Sequence, residues 1–246
     1  MNALNVGRIK LGVAVTGAAK KAVDYAVKYA NERKQFKVPI SSFGAMQYKL
    51  AEMATKTYVA DAGNYRAGQN IEDQIARLEH NGHSPQEAKL KGVEEYAIEC
   101  AILKVFGSEV IQYTTDEAVQ IYGGMGFSAE SAVEAFYRDA RISRIYEGTN
   151  EINRLLLVKM ILKKAMTGEI DVMKSAKAVA KELMSIPSFD TPSETFFAEE
   201  KKVLQNLKKS ILMISGTAAQ KLGDKIALEQ EVMMNIANMI IEVYML

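Results

Sequence analysis

Apolar positions recur every three or four residues along most of the chain, a period that predicts helix rather than strand. Over residues 5–34, Ile9, Val13, Ala19, Val23, Ala26, Val27 and Ala30 form a stripe near the 3.6-residue repeat. Gly12, Gly17, Ala18 and Ala19 keep this helix slim, so a neighbour can approach closely. Its polar face carries Lys20, Lys21, Asp24 and Lys28. A polar connection over 31–40 ends at Pro39. Ser41 or Ser42 is placed to cap a second helix running to about Leu78, with Met46, Leu50, Met53, Tyr58 and Ala62 on its apolar side. A turn over Glu79–Pro85 leads to a third helix, Pro85–Tyr122, which Gly123-Gly124-Met125-Gly126 stops.

A short arginine-bearing helix follows, then a helix over 151–166 with Ile152, Leu155, Leu156, Val158 and Ile161. Further helices are expected over 170–184, 194–221 and 224–246, with a loop at Ser185–Ser193 marked by Pro187 and Pro192. On the last helix Asn235, Asn238 and Glu242 oppose Met233, Ile236, Met239, Ile240 and Val243. That face suits another helix, or less readily a membrane surface. No segment alternates as a strand should, so the expected class is all-α.

Composition narrows the function classes. The 246 residues suffice for one large domain or two modest ones. Hydrophobic content of 48% and charged content of 25% are ordinary for a soluble globular protein. A net charge of +1 leaves no electrostatic footprint for nucleic acid. No apolar run approaches bilayer length, and Met1–Arg8 has no signal core. Cys100 is alone, so no internal disulfide is possible; a reducing, cytoplasmic setting and a buried inert thiol are expected. All eight arginines lie at or before Arg154 and thirteen of sixteen glycines precede residue 165, which places a domain boundary near Thr167-Gly168. The domains expected are therefore 1–167 and 168–246, the second ending without a cap, as a shortened chain would.

Candidate chemistry concentrates between Gln120 and Asn153. Glu147 stands at a helix junction between Tyr146 and Gly148. Gly148 can take backbone angles closed to other residues. Thr149 and Asn150 can cap the helix that begins near Glu151. A carboxylate held there, beside fresh backbone donors, suits a general base; equally, many Glu-Gly pairs simply end a helix. Arg138, Arg141 and Arg144 recur every third residue and read as ion pairs fixing this junction in preference to substrate contacts. His80 and His83 flank an Asn-Gly turn, with no cysteine or third histidine to complete a metal site, so no metal is expected. Asn5 and Arg8 lie three apart on one helical face. The glycines at 123–126 are not a dinucleotide fingerprint, because no strand precedes them and the spacing is wrong.

Gln120–Phe127 (QIYGGMGF) and Arg138–Ile152 (RDARISRIYEGTNEI) together resemble the paired signature of the acyl-CoA dehydrogenases, in that family's order and spacing. Asn31–Phe36 (NERKQF) resembles a third family segment, with Lys37 where glycine usually follows and Gly44 where glutamine commonly follows Phe43. The resemblance covers about residues 4–165 and implies a four-helix bundle followed by additional C-terminal helices. It implies FAD as cofactor. Arg33, Gln35, Phe36, Phe43, Gln120, Gly123 and Gly124 would contact the flavin of a neighbouring subunit, with Thr149, Asn150 and Glu151 also in the cofactor set. It implies Glu147 as catalytic base, with Asn5, Arg8 and Gly148 touching the acyl-CoA. Some branches carry the base immediately before the arginine at position 8; here that residue is Gly7, which offers no side chain.

The implied reaction is α,β-dehydrogenation of a fatty acyl-CoA. Glu147 takes the α-proton, hydride passes to FAD, and an electron-transfer flavoprotein reoxidises the flavin. The base is expected to face a cleft shared by Arg8 and the glycine turn. The extra C-terminal region resembles the very-long-chain branch and implies a homodimer. The family's N-terminal helical domain and flavin-covering β-domain do not occur in these 246 residues, so the chain reads as a fragment that binds FAD poorly and is inactive alone. Two other readings stand beside this one: a helical dimerisation module without chemistry, and an acyl-CoA oxidase in which oxygen takes the electrons.

Overall fold

The computed structural model describes residues 2–185 and 196–246. In order the helices are α1 (Asn2–Glu32), α2 (Gly44–His80), α3 (Pro85–Glu95), α4 (Ala97–Tyr122), α5 (Gly124–Phe127), α6 (Ala132–Ile142), α7 (Asn150–Met166), α8 (Val172–Leu183), α9 (Ala198–Leu222) and α10 (Gln230–Met245). The fold is all-α. The expected loop at 185–193 falls, beyond Ser185, outside the described residues. Two compact units are present, Met1–Asn153 and Arg154–Leu246.

In the first unit α1, α2, α4 and α6 pack around two apolar clusters, one about Leu11, Ala60, Ile111 and Ala140 and one about Ala26, Met53, Ile121 and Val133. α1 and α4 run parallel: Gly12 meets Leu103, Val15 meets Gly107, and Tyr29 stacks on Tyr122 at 3.9 Å. The two backbones touch at their glycines. A Cβ on Gly107 would stand 3.3 Å from the Gly12 Cα. This closeness decides which α1 residues are inside. The buried apolar positions are Leu11, Val15, Ala19, Ala22, Ala26 and Ala30, mostly small, while the larger Val13 and Val27 of the expected stripe are exposed. Side-chain size, more than hydrophobicity, sets the facing surface.

α2 returns antiparallel. Asn64 Nδ2 donates to Thr16 Oγ1 at 2.9 Å and to the Gly12 carbonyl at 3.2 Å, and Lys20 pairs with Asp61 at 2.7 Å. Its buried face is Met53, Thr57, Ala60, Asn64, Ala67 and Ile71, so Tyr58 and Ala62 turn outward instead of inward. Further along α4, Val110 and Ile111 pack with Ala140, and Ala118 and Ile121 with Val133, which sets α6 antiparallel to α4.

Three expectations need correction. The third helix is two, α3 and α4, joined at Tyr96 (φ −98, ψ 27), where neither glycine nor proline marks the break. Neither Ser41 nor Ser42 caps α2; these residues lie in a 3-10 turn over Ile40–Ser42, and Phe43 holds the cap position. Lys34–Gln35 and Val38–Pro39 form a two-residue antiparallel hairpin, too short to show alternation. Its turn residues, Phe36 (φ 50) and Lys37 (φ 74), are both left-handed, the geometry usually signalled by Asn-Gly.

In the second unit α8 meets α9: Glu182 pairs with Lys209 at 2.5 Å, and a Cβ on Gly216 would stand 3.1 Å from that of Ala176. On α10 Met233, Ile236, Ala237, Ile241 and Met245 are buried, with Asn235, Asn238 and Glu242 outside. Arg154 Nε donates to Asn238 Oδ1 at 2.6 Å. Among the described residues no helix is long and apolar enough to cross a membrane.

Candidate functional site

The turn between α6 and α7 carries Glu147 in a conformation few non-glycine residues adopt, φ 58, followed by Gly148 at φ 84. A left-handed side-chain-bearing residue costs about 1–2 kcal/mol and persists only where its surroundings over-determine it. Here they do. Asn153, wholly buried, points its Nδ2 at three successive carbonyls: Glu147 (3.3 Å), Gly148 (2.7 Å) and Thr149 (3.0 Å). Arg8 Nε reaches the Glu147 carbonyl at 3.4 Å, and Arg8 Nη1 donates to Asn5 Oδ1 at 3.0 Å. A Cβ on Gly148 would stand 3.1 Å from Asn153 Nδ2, so glycine fits there for space as well as for φ.

With its carbonyls drawn inward, this turn leaves the Glu147 N–H without a protein acceptor among the described residues. The half-buried Glu147 carboxylate lies against α1: a Cβ on Gly7 would fall 2.4 Å from Oε2 and 2.7 Å from Oε1. One junction thus offers a carboxylate, a free backbone donor and a buried guanidinium. Burial pulls Arg8 below the ordinary arginine range, while the Glu147 charge acts to raise it.

Beneath the turn is a buried polar network whose central residue, Lys104, is not among the residues expected at the site. Lys104 is 0% exposed, and its Nζ donates to Asn150 Oδ1 at 2.7 Å. Asn150 Nδ2 donates to Ser108 Oγ at 3.0 Å and Glu109 Oε1 at 3.1 Å. Asn150 was expected among the cofactor contacts; its amide instead turns into the protein, since two consecutive turns of α4 saturate it. Thr149 Oγ1 accepts from the Ile152 N–H at 3.3 Å and caps α7, and Glu151 is exposed. One signal for Lys104 was available: it is the lone charge in the apolar run from Ala101 to Gly107.

The remaining candidates gather elsewhere. Arg33, Gln35, Phe36 and Phe43 sit on the hairpin at the end of α1, and Gln120, Gly123 and Gly124 at the end of α4. Because α1 and α4 are parallel, these two ends are neighbours, and the span from Gly7 to Tyr29 puts them about 33 Å from Glu147. The glycine turn therefore does not share a cleft with Arg8, contrary to expectation. This far end is exposed and aromatic. Phe36 is 87% and Phe127 85% exposed, Phe36 stands edge-on to Phe43 at 6.2 Å, and a Cβ on Gly123 or Gly124 would meet nothing within 4 Å. Its donor set suits a large ligand with an aromatic ring and an anionic group: Arg33 offers a planar fork for a diphosphate, and the bare glycines admit close approach.

Arg138 hydrogen-bonds Glu134 at 2.9 Å, and Arg144 approaches Glu109 at 4.0 Å. Arg141 and Arg144 line a polar cavity of about 500 Å³ with Glu109, Gln112, Asp116 and two tyrosines, a cavity that includes no expected site residue. His83 Nδ1 lies 3.5 Å from Lys91 Nζ, beside a Ser84–Glu87 capping box. Burial pushes the Cys100 thiol up to about 12, so it is no nucleophile.

Comparison with known proteins gives a consistent result. Residues 1–162 match the family model described as acyl-CoA dehydrogenase, C-terminal domain, and residues 206–246 match a second model of the same description. The chain is 42% identical over 243 residues to a probable acyl-CoA dehydrogenase of Bacillus subtilis (strain 168), covering 99% of this chain and 41% of that protein. It is 40% identical over 157 residues to the mitochondrial very long-chain specific acyl-CoA dehydrogenase of Rattus norvegicus, covering 64% of this chain and 21% of that one. An acyl-CoA dehydrogenase from Bacillus anthracis, solved in complex with FAD, superimposes with a TM-score of 0.90 at 46% identity, over 99% of this chain and 41% of that structure. The chain therefore spans about two fifths of the length of its full-coverage relatives.

Proposed function

The chain belongs to the acyl-CoA dehydrogenase family and carries its C-terminal domain, and on that footing we propose that it supplies the catalytic base of an enzyme that introduces an α,β double bond into a fatty acyl-CoA. Glu147 is the base. The observation that carries this reading is the pairing at one turn of a carboxylate seated over Gly7 with an unused N–H on the same residue. The N–H donates to the thioester carbonyl, where negative charge grows as the α-proton leaves. The carboxylate takes that proton, and the freed electron pair becomes the double bond as the β-hydrogen departs with its own pair. Arg8 and Asn5 brace the turn from α1 and border the thioester, and Gly148 lets the ligand approach the main chain.

FAD, when bound, supplies the acceptor for that hydride. The far-end residues fit it: Arg33 for the pyrophosphate, Phe36 and Phe43 for a ring, Gln120, Gly123 and Gly124 for close polar approach, with Gln35 beside them. Thr149 and Glu151 would serve a flavin near the base, with Asn150, whose amide and N–H are both held within the protein, ordering the turn beside it. One flavin does not span about 33 Å to touch both sets, which supports a homodimer in which each copy lends its far end to the other's cofactor. We assign 168–246 as an added helical region, an electron-transfer flavoprotein as electron acceptor, and the cytoplasm as location.

The test uses the full-length protein that contains this chain. Glu147→Gln keeps the FAD absorbance and loses at least a thousandfold in acyl-CoA turnover, together with exchange of the substrate α-protons into deuterated water. Turnover near the parent rate in a flavin-loaded Glu147→Gln protein sinks the assignment.

A further inference from the structure

We propose that Lys104 is a positioning residue for the base: acting through Asn150, it holds the Glu147 turn in the left-handed geometry that seats the carboxylate over Gly7 and leaves the N–H open. The inference rests on the reading of Glu147 as base, and adds to it a residue that never touches substrate.

Three observations carry it. First, Lys104 has no exposed surface, although it sits on α4 among Ile102, Leu103 and Val105, where an apolar residue would pack without penalty. A buried ammonium is costly unless hydrogen-bonded, and its Nζ is directed onto Asn150 Oδ1 at 2.7 Å. Second, Asn150 closes the turn that contains the base. Its backbone N–H donates to the Arg144 carbonyl at 3.1 Å, and its side chain is tied to α4 through Lys104, Ser108 and Glu109. Third, the residues between those anchors include Glu147 at φ 58, a strained conformation that relaxes when a tether is cut. Asn153 grips the carbonyls within the turn; Lys104 and Asn150 fix the turn to the bundle.

Lys104 acts by position, through its bond to Asn150, and the charges that weigh most on it are Glu151, Arg8, Glu109 and Arg144. Those groups come from α7, α1, α4 and the turn itself: Glu151 and Glu109 favour its charge, Arg8 and Arg144 oppose it. Burial then brings the ammonium down to about 8. Loss of the proton weakens the charge-assisted bond to Asn150, because such bonds are roughly twice as strong as neutral ones.

The experiment measures turnover per bound flavin in the full-length enzyme for Lys104→Met, which has no donor, and Lys104→Gln, which keeps a shorter neutral one. The expected order is parent, then Gln, then Met, with a fall of at least tenfold in kcat for Met, KM for acyl-CoA within threefold, and α-proton exchange falling in step with kcat. A residue that served only folding would lower the yield of flavin-loaded protein and leave kcat per flavin alone. The parent shows an alkaline fall in kcat centred near pH 8, absent in Lys104→Met. The inference is overturned if both variants turn over within twofold of the parent per flavin. Should neither variant load flavin, Asn150→Ala decides, because it removes the acceptor and leaves Lys104 in place: a fall of at least tenfold in kcat per flavin with KM kept supports the tether, and kcat within twofold of the parent overturns it. Retained turnover in Glu147→Gln would defeat the base assignment instead, which keeps the two failures distinct.

Discussion

The carboxylate of Glu147 occupies the space that a side chain on Gly7 would fill, with the missing Cβ 2.4 Å from Oε2 and 2.6 Å from Cδ. Position 7 and position 147 therefore address one point at the start of the α1–α4 pair. Glycine at 7 is a condition for the carboxylate at 147. A side chain at both positions would place two groups in one volume.

Gly7→Ala puts this to the test. The clash falls on the far end of a flexible side chain, so the fold can absorb it while the carboxylate swings away. Turnover of the full-length flavoenzyme is expected to drop at least tenfold, with the thermal midpoint within about 2 °C of the parent, the equivalent of under about 1 kcal/mol for a domain this size. Unchanged kcat would show that the seat over residue 7 is irrelevant to catalysis.

The hairpin at 34–39 stores strain that a glycine would release. Lys37 is exposed at φ 74 and stands where family members usually carry glycine. Lys37→Gly removes a left-handed penalty of about 1–2 kcal/mol and adds about 0.5–1 kcal/mol of unfolded-state entropy. The net gain, about 0.5–1 kcal/mol, should slow amide exchange at Ile40, whose N–H donates to the Arg33 carbonyl at 2.9 Å, by two- to fivefold. Faster exchange would mean that the Lys37 side chain holds the turn.

Lys104 links stability to pH in a direction that can be stated. Its folded value of about 8 lies below the ordinary 10.5, so between those values the unfolded chain holds a proton that the folded chain has released. Stability from this group therefore rises with pH across that window and is lost as pH falls through about 8. The full span corresponds to about 3 kcal/mol. Urea midpoints at pH 7.5, 9 and 10.5 should climb for the parent relative to Lys104→Met. Parallel curves for the two proteins would place the Lys104 proton outside this window. Alkaline pH thus relieves a buried charge while loosening the turn that charge holds.

How much of this was legible beforehand differs from residue to residue. The junction at Tyr146-Glu147-Gly148 was readable, because a glycine that must take positive φ and a Thr that caps a helix are local facts. The helices were readable from their period, except at Tyr96, where the break has no local cause in composition. The all-α class followed from the same period; the two-residue hairpin lay below the length at which alternation can be seen.

What the order of residues determined, then, was everything governed by neighbours a turn away: helix, cap, glycine stop, and a carboxylate at a kink. Which α1 residues face inward depended on how closely Gly12 and Gly107 allow two backbones to approach. That Arg8, Gly7 and Glu147 meet while Gly123 lies about 33 Å away depended on α1 and α4 being parallel. Burial of Lys104 against Asn150 likewise needed two distant segments in contact, since a buried charge is tolerable only once its partner is in place. Local sequence sets backbone preference; tertiary packing alone decides which distant groups share a volume and lose their water.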